Sequence, residues 1–120
     1  MKNGFTDTLL QFQNQVKILH WQTKSFAQHE AFGKLYDEIS DLTDEIAEVY
    51  MGKYGRVTTG GTIHTVNTNE LKLDAFMSAI EDQLLSFNGK LDPVRDSDLL
   101  NLRDELLGKL NKVRYLLTLS

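Results

Sequence analysis

Apolar residues recur along this chain at the spacing of amphipathic α-helices, in four separate segments. At about 100° per residue, the apolar positions of the second segment fall within about 60° of one line. These positions are Phe32, Leu35, Ile39, Leu42, Ile46 and Tyr50. Similar stripes predict helices over Thr6–Thr23, Ser25–Tyr54 and Asn67–Gly89, and a fourth that begins at Asp96 or Ser97. The pattern therefore predicts an all-α fold.

Capping residues mark where the predicted helices begin and end. Ser25 with Gln28 matches a capping box, in which each side chain bonds the backbone amide of the other residue. Asn67 with Glu70 has the same spacing and predicts the start of the third helix. Gly55 is suited to end the second helix.

One long connection, Arg56–Val66, separates the second and third helices, whereas the other two turns are short. Short turns favour antiparallel neighbours. An extended connection of this length reaches at most about 36–40 Å, and a helix of about 18 residues is about 27 Å long. We therefore predict a single domain over 1–120, a four-helix bundle with a long crossover between helices two and three. An up-down-up-down bundle would also tolerate this loop.

Composition removes several classes of function. The chain has 120 residues, a net charge of −4 and no cysteine, and its pI is about 5.3. The acidic balance argues against nucleic-acid and membrane partners, and no apolar run approaches the roughly 20 residues that span a bilayer. The first residues lack the apolar stretch of a secretory signal. We expect a cytoplasmic protein without disulfides or thiolate chemistry.

The candidate chemistry lies on the polar side of the second helix. Asp44 and Glu48 are one turn apart, so both carboxylates project from one face, opposite the apolar stripe. His20 and His29 flank the turn before this helix. Imidazole and carboxylate together suit Fe²⁺, Zn²⁺ or Mn²⁺. Because the carboxylates face away from the core, we predict a metal site that a second subunit completes.

The same residues also fit an ordinary surface helix, on which an acidic face opposes the apolar stripe. In that interpretation His20 is a histidine at the edge of the core and His29 is a solvated residue of the first turn. Trp21 projects outward from the first helix, and an exposed tryptophan is typical of a partner surface. We therefore expect a homodimer or larger homo-oligomer, joined through the outer faces of helices one and two.

The segments Leu19–Trp21, His29–Phe32 and Asp44–Glu48 together resemble the Dps mini-ferritins of the ferritin-like superfamily. The resemblance implies a ferritin-like bundle with an iron-oxidising site shared across a two-fold interface. His20 and His29 match the histidines of one subunit, and Asp44 and Glu48 match the carboxylates of its partner. Separately, His20–Ser25 and Gly52–Arg56 resemble a group of small uncharacterised phage proteins, which would place the protein in the host cytoplasm.

Three departures from the Dps pattern weaken the match, and the first is that His20 and His29 are closer in sequence than the two histidines usually are in that family. The family's aspartate one turn after the second histidine falls on Gly33, which leaves one ligand missing. The lysine-rich tail that such proteins use to bind DNA is missing as well. The leading hypothesis is a Dps-related oligomer with an inter-subunit divalent-metal site that holds one ion more readily than two. The alternative is a non-enzymatic helical interaction protein encoded by a phage, and whether the protein is an enzyme stays open.

Overall fold

A computed structural model describes residues 4–58 and 60–119 of the chain. Four α-helices dominate this part: α1 (Gly4–Gln22), α2 (Phe26–Tyr54), α3 (Leu73–Leu85) and α4 (Ser97–Leu117). No strand is present among these residues, so the all-α prediction with four helices is confirmed. None of the described helices is long and apolar enough to span a membrane.

The apolar stripes of all four helices meet in one buried core. Every apolar position predicted from the α2 stripe is buried. On α1, the apolar positions Leu9, Phe12, Val16 and Leu19 are buried as well. Phe5 lies against Tyr50 and Phe87, with ring centroids 5.0 and 6.3 Å away, where α1 begins and α2 and α3 end. The 3.6-residue repeat therefore located the core correctly.

Side-chain contacts define how the helices run relative to one another. Lys109 on α4 approaches Glu38 on α2, and Arg114 on α4 approaches Glu81 on α3. The salt bridge from Lys53 to Asp98 gives a second contact between α2 and α4, and the bond from Arg103 to the Leu84 carbonyl gives a second contact between α3 and α4. In both pairs the residue numbers run in opposite directions, so α4 is antiparallel to both α2 and α3. Consequently α2 and α3 run in the same direction, and the chain between them crosses from one end of the helices to the other, as the loop length predicts.

The crossover runs along α1 and is longer than the sequence predicts. Glutamine side chains of α1 bind its backbone: Gln11 at His64, Gln15 at Val66 and Gln22 at Thr68. Residues 68–70 form only a 3₁₀ turn, and α3 begins six residues later than predicted, at Leu73. The reason is that Asn67 provides no cap to the backbone, since its side chain bonds those of Gln22 and Glu70. Thr59, within the predicted loop, lies outside the described residues.

A polar contact fixes the end of α2 against the start of α4. Asp96 is only 3% exposed and accepts hydrogen bonds from the Tyr54 hydroxyl and the Asp92 amide. These bonds, with Lys53 nearby, lower the pKa of Asp96. The same contact raises the pKa of Tyr54, because its hydroxyl proton is held by a carboxylate. Asp96 precedes α4, which begins at Ser97 as predicted, and the Asp96 side chain makes no capping bond there.

Arg103 is a buried charged residue of α4 that contacts the C-terminal end of α3. It donates to the Leu84 carbonyl at 2.9 Å and to the Asn88 side chain at 2.8 Å, and its Nε contacts Asp104 at 2.8 Å. Leu84 is in the last turn of α3, where carbonyl groups lack intrahelical donors and a cation is favourable. The guanidinium therefore stabilises the end of α3 from inside the protein.

Candidate functional site at the turn between α1 and α2

His20 and His29 form a reciprocal pair across the turn between α1 and α2. The His20 Nδ1 lies 2.7 Å from the His29 carbonyl oxygen, and the His29 Nδ1 lies 2.8 Å from the His20 carbonyl oxygen. The rings are stacked, with centroids 3.9 Å apart and planes inclined by 18°. The two helices are thus joined by two hydrogen bonds and one ring contact, which we call the histidine clasp.

The geometry of the clasp fixes which ring nitrogens are free. A carbonyl oxygen only accepts hydrogen bonds, so each Nδ1 must carry a proton. In the neutral ring the proton is then absent from Nε2, whose lone pair is available to a metal ion, a donor or a proton. The His20 carbonyl lies in the last turn of α1, where carbonyls lack helical partners, and His29 supplies that partner.

Local sequence explains why the turn has this shape. Ser25 caps α2 by accepting from the Gln28 amide at 3.2 Å, as the capping box predicts. The second bond of the capping box, from the Ser25 amide to the Gln28 side chain, is replaced by a bridge through the Thr23 hydroxyl. The Gln28 side chain accepts from the Thr23 hydroxyl, and that hydroxyl in turn accepts from the Ser25 amide. The three side chains therefore hold the turn between the two histidines.

Gly33 makes room for the clasp. A β-carbon at this position would lie 2.9 Å from both Cε1 and Nδ1 of His20, which is closer than carbon and nitrogen atoms approach without displacement. The departure from the Dps pattern at Gly33 therefore has a physical reason. An aspartate there would drive the His20 ring out of its present place.

The clasp forms the floor of a groove of about 380 Å³ on the outer surface of α1 and α2. Its other lining residues are mostly charged: Lys17, Glu30, Lys34 and Asp37. The Lys17 ammonium lies 4.4 Å from the Tyr36 ring centroid and 5.8 Å from that of Trp21. Trp21 beside this groove is 67% exposed. The outward position that the sequence predicts for this tryptophan is confirmed.

Asp44 and Glu48 lie far from the histidines of their own chain. Both are exposed on α2, and at 1.5 Å per residue they lie about 22 Å and 28 Å along the helix from His29. Among the described residues, no group of three or more histidine, aspartate or glutamate side chains is placed to hold a metal ion. Of the four predicted ligands, one chain therefore brings only His20 and His29 together, and only another molecule could bring Asp44 or Glu48 to them.

Fold and site together define a small helical protein in which a histidine pair and an exposed tryptophan lie at the turn between α1 and α2. The chain belongs to a family of unknown function, DUF5856, whose profile matches residues 20–117. It is also similar to an uncharacterized 14.6 kDa protein from the mobD–ri intergenic region of enterobacteria phage T4. The two share 30% identity over 103 residues, which cover 84% of this chain and 75% of the T4 protein. No solved structure matches the chain.

These findings support the resemblance to small phage proteins that the sequence indicates. The matched family segment begins at His20 and includes both histidines of the clasp.

Proposed function

We propose that this protein is a non-enzymatic phage interaction protein that associates through the outer faces of α1 and α2. The observation that carries the proposal is the exposure of Trp21 beside the rigid clasp. Tryptophan is enriched at protein interfaces because it buries a large apolar area while losing little side-chain freedom. Phe26, the first residue of α2 after the turn that follows Trp21, is 78% exposed. The T4 relative supports a phage setting, and with it the host cytoplasm.

The distribution of charge on this face favours a second copy as the partner. Near the clasp the face carries Lys17 and Lys34 beside Glu30 and Asp37, so its charge is balanced there, whereas further along α2 it carries the exposed Asp41, Asp44 and Glu48. A two-fold axis near the middle of α2 would place the two lysines of one copy on the acidic end of the other. Such an interface is self-complementary, as closed dimers require.

Trp21 is the only tryptophan of the chain and reports directly on this face. As protein concentration rises, we expect its fluorescence emission to shift to shorter wavelength, because association removes the indole from water. Replacing Asp44 and Glu48 with lysine should abolish the shift, since the new lysines would then face Lys17 and Lys34 of the other copy. Replacing Asp82 and Glu105 with lysine changes the net charge equally on other helices and should leave the shift intact. Emission that stays constant up to millimolar wild-type protein would refute the proposal.

A second candidate function is binding of a divalent metal ion between copies. It is favoured by the clasp, which leaves the Nε2 atoms of His20 and His29 unused, and by the carboxylates that the proposed dimer would bring near them. Fe²⁺, Zn²⁺ and Mn²⁺ fit this mixture of ligands. The Nε2 lone pair of each imidazole lies in the plane of its ring, so the stacked rings of His20 and His29 cannot direct both lone pairs at the same ion. A shared ion would require one ring to leave the stack.

The available ligands support one ion rather than an oxidising pair, because Gly33 supplies no carboxylate. Isothermal titration of Fe²⁺ or Zn²⁺ should show binding that is lost when Asp44 and Glu48 are replaced by asparagine and glutamine. If that double variant binds as well as the wild type, the metal proposal is wrong, while association through Trp21 could still hold. The ferritin-like classification also remains a proposal, supported by the long crossover and the parallel course of α2 and α3.

A further inference from the structure

The crossover contains an extended segment whose backbone is hydrogen-bonded to α1 along one edge. The His64 amide donates to Gln11, and the Val66 amide donates to Gln15 at 3.0 Å. Gln11 and Gln15 are separated by one helical turn, about 6 Å, and two residues of extended strand advance about 6.6 Å. The backbone between His64 and Val66 is therefore close to fully extended.

The opposite edge of this segment is free. In an extended chain, successive residues point their N–H and C=O groups to opposite sides. Gln15 binds both the N–H and the C=O of Val66, at 3.0 Å each, as a residue of a neighbouring strand would. Ile63 and Thr65 must point both of their groups away from α1, and within the described part of the chain these groups have no hydrogen-bond partner.

Nothing in the sequence protects this edge. Natural proteins protect exposed strand edges with lysine, proline or bulges, because unpaired backbone groups recruit other strands. Residues 60–66 contain no charged residue and no proline. Ile63, at 37% exposed, is one of several residues there with high strand propensity. The segment therefore has the backbone and the composition of an edge strand that accepts a partner.

We propose that the crossovers of two copies pair with each other as antiparallel strands. With the two-fold axis at His64, Ile63 of each copy faces Thr65 of the other. Both residues then exchange N–H···O=C bonds in both directions, four in all, without disturbing the bonds to the glutamines. A second copy suits this edge better than a flexible peptide, because its segment is already extended and loses less freedom on pairing.

This surface is separate from the outer face of α1 and α2. On α1, Gln15 and Trp21 project about 120° apart at 100° per residue. Both contacts could form at once, and each can fail without the other. The inference therefore does not depend on the proposed function.

Two proline variants test the pairing with matched chemistry. Thr65→Pro removes an N–H that faces the second copy, whereas Thr62→Pro removes one on the side of α1. By sedimentation velocity, we expect Thr65→Pro to weaken association by about tenfold or more, because each copy loses one hydrogen-bond donor to the other. Thr62→Pro should associate like the wild type. Equal behaviour of the two variants would overturn the proposal.

Amide exchange and cross-linking provide measurements that do not require proline. The amides of Ile63 and Thr65 should exchange more slowly as concentration rises, while those of His64 and Val66 should not change. The chain has no cysteine, so His64→Cys introduces a unique thiol at the proposed axis. On oxidation, His64→Cys should form covalent dimers at least about tenfold faster than Asn111→Cys, whose thiol lies on the surface of α4. The reason is that pairing raises the effective concentration of one introduced thiol near the other. Equal cross-linking rates, or exchange independent of concentration, would reject the pairing.

Discussion

Gly33→Ala is the most direct test of the histidine clasp. The added β-carbon would lie 2.9 Å from two atoms of the His20 ring, so the ring must turn away. This breaks the hydrogen bond from the His20 ring to the His29 carbonyl, at about 1 kcal/mol, and a ring contact of about 0.5–1.5 kcal/mol. The bond from the His29 ring to the His20 backbone carbonyl does not require the His20 ring. Alanine recovers about 1 kcal/mol through its higher helix propensity. We expect a net loss of about 0.5–1.5 kcal/mol in the free energy of unfolding.

Gly108→Ala is the matched control. Gly108 lies within α4, and a β-carbon there would meet nothing within 4 Å. This substitution should stabilise the protein by about 1 kcal/mol through helix propensity alone. Urea denaturation followed by circular dichroism should therefore separate the two alanine variants by about 1.5–2.5 kcal/mol.

A double-mutant cycle assigns the loss to the clasp. In a His20→Ala background the ring is gone, so Gly33→Ala should stabilise the protein as Gly108→Ala does. The reasoning fails if Gly33→Ala stabilises the protein when His20 is present. It also fails if the substitution costs the same with and without the imidazole, since the cost would then come from another contact.

Three further predictions concern other parts of the structure. Arg103→Met should lower the free energy of unfolding by about 2–3 kcal/mol, because hydrogen bonds from a buried cation contribute about 1.5–3 kcal/mol; urea denaturation measures it, and an unchanged midpoint would contradict it. The lowered pKa of Asp96 means that its contribution is present above the ordinary value of 3.8 and is lost as pH falls through the lowered pKa. The raised pKa of Tyr54 means that its contribution is complete below 10.0 and is lost as pH rises through the raised pKa. Urea midpoints of Tyr54→Phe should therefore depend less on pH than those of the wild type at both extremes, and identical profiles would refute this. Finally, ¹⁵N chemical shifts of the neutral imidazoles should identify His20 and His29 as Nδ1–H tautomers, and an Nε2–H tautomer at either ring would exclude the clasp.

The periodic features of the chain could be predicted from its sequence, because burial of an apolar stripe depends only on spacing. The buried stripe of α2 followed from this rule, whereas the cap at Ser25 followed from the capping-box spacing and the crossover from the length of the connection. The late start of α3 could not, since it depends on glutamines that are distant in sequence. Arg103 was missed because a lone arginine in a helix is usually solvated, and only the packing against α3 shows it buried.

The candidate site could be predicted in composition and only partly in geometry. His20 and His29 do lie together, but spacing could not show that they bond each other through the backbone. Nor could it show that Gly33 makes room for the His20 ring, since the two residues lie on different helices and meet only when these pack. Asp44 and Glu48 have their predicted exposure, and the role proposed for them requires a second molecule, which the sequence of one chain does not describe.

The clasp has two possible roles, and ordinary alanine variants cannot separate them, because removing a ring removes both its Nδ1 donor and its free Nε2. His29→Asn can separate them. The asparagine amide nitrogen lies close to the position of Nδ1 and can still donate to the His20 carbonyl, but nothing replaces Nε2. If Nε2 binds a metal ion or a partner, this variant should keep most of its stability in urea and lose that binding. If the histidines serve only to join α1 to α2, His29→Asn should bind as the wild type does. Loss of stability comparable to that of His29→Ala would show that asparagine does not restore the bond, and the corresponding His20→Asn variant would then be required.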